Sequence, residues 1–176
     1  MAYSNTGGAP LGPTAPSGTY RAADAIDAIR VDVETTVQEE LGGLLTGYVE
    51  AREAAAAWLV SHSDGTPIAV EIYVAEQYAI GGLPGLDLTR VYYGDGAGAQ
   101  DAAEIVASKL HDLGIGWTID VAHDPSLRSD VCHVKIGVGN IAGALGRSYL
   151  GNPSWRALIG GQIADGVLAY AAIPEE

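Results

Sequence analysis

The stretch VYYGDGAGAQDAAEIVASKL, residues 91–110, decides how the fold is read. Alternating apolar residues run into a cluster of small ones, after which apolar residues recur every three or four positions. That change of period predicts a strand, a glycine-rich turn and a helix. The helix is expected over 99–113, with Ala103, Val106, Ala107 and Leu110 on its buried side. GWTIDVAH then alternates as another strand, so the unit from Val91 to Ala122 reads as a βαβ crossover.

Outward from this unit the same reasoning finds further strands in IAVEIYVA, LDLTRVYY and VCHVKIGV. In the first, Ile68, Val70, Ile72 and Val74 share one face, and Glu71, Tyr73 and Ala75 the other. Glu71 and Glu76 are expected to face solvent. Upstream, Ile26, Ile29, Val33, Val37, Leu41, Leu44 and Tyr48 form a helical stripe that starts near Ala22. The pattern resumes through VEAREAAAAWLV to Val60, which predicts one bent helix or two, weakened at Gly42-Gly43. The stripe is either a core face or the seam of an oligomer. A last helix is expected from Ser154 to Tyr170. The resulting fold class is α+β, a two-layer α/β arrangement with N-terminal helices packed on a small mixed sheet containing one βαβ unit. Residues 1–19, with four glycines and three prolines, read as a flexible arm, and residues 20–176 as a single domain.

Composition narrows the partners. The chain has 176 residues and a formal net charge of −13, which repels nucleic acid and anionic lipid. No apolar run is long enough to span a bilayer, and the opening residues lack the basic and apolar regions of a secretory leader. The single cysteine, Cys132, permits neither an internal disulfide nor a cysteine-based zinc site.

The segment YYGDGAGAQDAAEIVASKLHDLGIGWTIDVAHD, within residues 90–124, resembles the opening unit of flavodoxin-like proteins. That resemblance implies a phosphate held at the turn. Gly94, Gly96 and Ala99 also satisfy a loose G-x-G-x-x-A dinucleotide fingerprint. The residues themselves oppose a phosphate. Positions 94–99 carry no hydroxyl, no Lys or Arg is present, and Asp95 and Asp101 repel a dianion where they would meet it. No cofactor is therefore expected.

Other chemistry is sparse. Cys132 and His133 are neighbours on a strand and point to opposite faces, so they cannot form a nucleophile and base. His123, Asp124 and His133 could meet at a metal only if two strands ran side by side, and HDPS reads as a turn. Neither a catalytic nor a metal site is assigned. Tyr3 and Leu11 on the arm, and Arg147, Tyr149 and Trp155 in the glycine-rich stretch 137–161, are the interface candidates. These features predict a non-enzymatic assembly subunit that contacts itself and other subunits, with no nucleic acid or membrane partner. A neck, tail or accessory protein of a tailed-phage virion, assembled in the cytoplasm, has this build. The alternative is a small flavodoxin-like α/β ligand-binding protein or enzyme that uses the 94–99 turn.

Overall fold

A computed structural model describes residues 22–50, 56–63, 65–77 and 85–172. The arm and its two candidates, Tyr3 and Leu11, lie outside the described residues. The elements in chain order are α1 (Ala22–Leu41), β1 (Leu45–Glu50), β2 (Ala56–Ser61), β3 (Pro67–Ala75), β4 (Leu88–Tyr93), α2 (Ala99–His111), β5 (Thr118–His123), β6 (Cys132–Asn140), α3 (Ala144–Leu150) and α4 (Pro153–Ala171). The six strands form one mixed sheet in the order β1-β2-β3-β6-β4-β5. β3 runs parallel to β6, β4 runs antiparallel to β6, and β4 and β5 are the parallel pair joined by α2. The two-layer α/β class with one βαβ unit is thus the observed one.

The second N-terminal helix is not. After α1 a short 3-10 turn intervenes, with Gly42 at φ +42°, and the chain then enters the β1–β2 hairpin. The run AAAAWLV has enough small residues to suit a helix locally. Pairing overrides that preference, because β2 lies between β1 and β3 with Trp58 opposite Val70 and Val60 opposite Ile68. The stripe on α1 turns out to be core. Ile29, Val33, Val37 and Leu41 are buried, and α1 packs on α4 and β3 of the same chain.

α1, α4 and α2 lie side by side over the sheet. Glycines set how closely they approach. A Cβ at Gly160 of α4 would sit 2.8 Å from Thr36 Cβ of α1, and one at Gly166 would sit 2.8 Å from Val106 Cα of α2. The glycines that weaken α4 on propensity therefore let it wedge between two neighbours. Asn152 caps α4 by accepting a bond from Ser154 N at 2.9 Å, and Pro153 opens its first turn. Buried Arg156 ties α4 to α1 through Asp32 Oδ2 at 2.7 Å.

Strand alternation sorts the two sheet faces. Val70, Ile72, Val91, Val134, Ile136 and Val138 are all fully buried and join the helix-side core. Glu71, Tyr73, Arg90, Tyr92, Asp120, His133 and Lys135 occupy the other face. Glu71 is not solvent-facing as expected but 4% exposed, held between His133 and Lys135. Glu76 is exposed.

Candidate functional site

β4 and β5 end, at their carboxyl ends, in the 94–98 turn and the 124–131 loop. Crevices outside strand carboxyl ends are where open α/β sheets bind ligands. A cavity of about 960 Å³ lies there, on the helix side. α2 contributes Asp101, Glu104 and Ser108. The turn contributes Ala97 and Gly98, and the loop Ser129 and Asp130. His62, which follows β2, and Tyr170 on α4 are also part of the lining, as is Cys132 at the start of β6. The volume is in the range of small-molecule sites.

The turn's glycines have a packing explanation. A Cβ at Gly96 would land on the Val131 carbonyl, and one at Gly94 would lie 2.9 Å from the Arg128 carbonyl. Gly98, at φ +74°, adopts a left-handed backbone, and a Cβ there would collide with the Tyr170 hydroxyl. The turn is glycine-rich because a loop and a helix press against it. Asp95 leaves the cavity to pair with His123 Nε2 at 2.8 Å. Asp101 stands in the first turn of α2, where a carboxylate complements the helix dipole.

The cavity is acidic. Asp101, Glu104 and Asp130 line it, and among the described residues no Lys or Arg does. Asp130 is neutralised by Arg128, whose Nε and Nη2 donate at 2.9 and 2.5 Å. Glu104 accepts a bond from Gln100 Nε2 at 2.9 Å. The His62 ring lies 5.2 Å from that of Tyr170. Burial pushes the Cys132 thiol from its ordinary 9.0 up to about 11, against a smaller opposing pull from the Tyr170 hydroxyl. Cys132 is consequently a thiol under ordinary conditions, a floor rather than a nucleophile.

A pH dependence follows. A folded-state value above the unfolded one means that the native protein holds the proton more tightly. The resulting stability is fully present below about pH 9 and is lost as pH rises towards 11. The gap corresponds to about 3 kcal/mol. Urea unfolding at about pH 8 and about pH 10.5 should show the wild type losing most of that amount, and Cys132→Ala losing much less. Equal losses in both proteins would contradict it.

The other sequence candidates disperse. His123, Asp124 and His133 do not converge. Asp124 accepts both the amide and hydroxyl of Ser126, the latter at 2.6 Å, and His133 Nδ1 accepts from Arg128 N at 3.1 Å. Among the described residues no group of three or more His, Cys, Asp or Glu side chains could hold a metal ion. Arg147 is exposed. Tyr149 packs edge-on between Trp117, at 6.0 Å, and Trp155, at 4.7 Å, in an intramolecular aromatic cluster. Sequence reasoning missed His62, because its segment reads as a turn after a helix, and Tyr170, because it sits on a helical stripe.

No family model matches the sequence, and no curated protein does. Solved structures do share its fold. An N-acetylmuramoyl-L-alanine amidase from Clostridium difficile 630 is similar over 92% of this chain and 91% of its own, with a TM-score of 0.61 at 14% identity. The N-acetylmuramyl-L-alanine amidase of Mycobacterium smegmatis is similar over 95% and 92%, with a TM-score of 0.57 at 16% identity. A Nostoc punctiforme amidase aligns over 58% of this chain, with a TM-score of 0.50 at 17% identity, and the chain spans only 57% of that enzyme's length. The expectation of a non-enzymatic phage-particle subunit is overturned by this likeness, since the fold is one that solved amidases share. The α/β alternative fits this fold better, with amidases in place of flavodoxins as the likeness. No described helix is long and apolar enough to cross a membrane.

Proposed function

We propose that this chain is an amidase-like cell-wall hydrolase, acting on the amide that joins a muramoyl glycan to L-alanine. The observation that carries the proposal is the fold shared with the Clostridium difficile amidase over nine-tenths of both chains. The cavity beside the 94–98 turn supports it with a place for the amide. Hydrolysis needs a group to take a proton from water as its oxygen attacks the carbonyl carbon. It needs another to give a proton to the nitrogen as the C–N bond breaks. Asp101 is the carboxylate assigned to the first role and His62, acting in its protonated form, to the second. Cys132, held as a thiol, and Ile105 supply an apolar boundary that strengthens polar contacts within the cavity.

The test is incubation of the full chain with purified peptidoglycan, followed by chemical labelling of new amino termini. Labelled L-alanine is the expected product. Unchanged sacculi with no new alanine termini would remove the reading.

A further inference from the structure

The sheet face away from α1, α2 and α4 carries a second constellation, separate from the cavity. Tyr92 on β4 and Glu71 on β3 both stand in register with Lys135 on β6, which runs between those strands, and Tyr73 stands in register with Gly137. The two tyrosine rings are 6.3 Å apart and inclined by only 34°, so they tile side by side. Gly137 makes this possible. A Cβ there would meet both Cζ and the hydroxyl of Tyr73 at 2.7 Å, so the ring lies down across the glycine.

Charges frame the rings in balanced pairs. Lys135 Nζ is 5.3 Å from the Tyr73 centroid and 3.6 Å from Glu71 Oε1. The Arg90 guanidinium is 5.8 Å from the Tyr92 centroid, and its Nε donates to Asp120 Oδ2 at 3.1 Å. The Arg90 and Asp120 side chains are 37% and 48% exposed, so solvent reaches this edge. Below them His133, 4% exposed, has Nε2 at 3.3 Å from Glu71 Oε2 without the alignment of a hydrogen bond, a buried donor or acceptor left unused. In a chain of net charge −13 this patch is locally neutral. A strongly anionic ligand would meet the exposed Asp120 and a strongly cationic one the exposed Arg90, while Glu71 and Lys135 neutralise each other beneath. Two tiled rings bordered by neutralised donors and acceptors suit an uncharged ligand with C–H faces and many hydroxyls.

We infer that this face binds a neutral glycan, with a hexosamine ring stacked on Tyr73 and Tyr92, and that it anchors the polymer rather than cuts it. The choice of an N-acetylhexosamine rests on the amidase reading, whereas the stacking geometry does not.

The test is titration of the full chain with the N-acetylglucosamine hexamer, followed by calorimetry and by the tyrosine ring signals in NMR spectra. Saturable binding is expected. Tyr92→Ala should weaken it by about tenfold or more, and Tyr92→Trp, which keeps a stacking surface, should stay within about threefold of the wild type. The wild type failing to bind at about 10 mM glycan, or Tyr92→Ala binding as the wild type does, would overturn the inference. A soluble muramoyl peptide separates the two readings. Glycan binding without any release of alanine leaves the platform standing and removes the amidase assignment. Alanine release with no glycan binding does the reverse.

Discussion

Asp101→Asn is expected to lower alanine release by about 100-fold, the usual contribution of a positioned proton acceptor. The amide keeps the size and hydrogen-bonding capacity of the side chain but cannot take the proton from water. Asp101 is exposed on the first turn of α2, so the substitution removes only its interaction with the helix dipole, about 0.3–1 kcal/mol. The melting temperature should therefore fall by no more than about 3 °C. The lost activity should appear in kcat, since the role is exercised in the transition state rather than in binding. Glu104→Gln, one turn further along the same cavity wall, is the control. Glu104 accepts a bond from Gln100 and serves the lining, so its replacement should lower the rate by about tenfold at most. An Asp101→Asn protein that releases alanine at the wild-type rate would assign the proton transfer elsewhere.

The part of the fold that was legible is the part where local period and tertiary role agree. α2 shows its buried face in the sequence because Ala103, Val106 and Leu110 pack directly on the sheet and α4. β3 and β6 are legible for the same reason, their helix-side residues being apolar at every second position. The hairpin of β1 and β2 was not, because its alanines favour a helix and only pairing with β3 makes them a strand. Glu71 was read as solvent-facing because a lone carboxylate on a strand usually is. Its burial depends on His133 and Lys135, which lie more than sixty residues away and become neighbours only through the parallel β3–β6 pairing. The site was legible in one half. The 94–99 turn stands out in the sequence and borders the cavity, but the opposite wall comes from His62 and Tyr170. These are brought to the turn by the sheet order and by α4, which no local pattern encodes.

Gly96→Ala is expected to destabilise the protein by about 3 kcal/mol, and so to lower its melting temperature by about 10 °C. The reason is steric. Gly96 is absent from the glycines with positive φ, so its backbone is open to other residues, but the added methyl would land on the Val131 carbonyl. That atom is backbone and cannot swing aside. The 127–131 segment would have to move, and it carries the Arg128 N–H that bonds His133 Nδ1 as well as the Ser129 and Asp130 lining of the cavity. Gly114→Ala provides the contrast. Gly114 has φ +64° and nothing within 4 Å of an added Cβ, so that change carries only the left-handed backbone penalty of about 1 kcal/mol. If the turn's glycines existed to admit a phosphate, the outcome would be inverted. Gly96→Ala would then melt with the wild type and lose only anion binding. A melting temperature within about 2 °C of the wild type would sink the packing explanation, while a large loss would show that these glycines were selected by the chain that presses on them.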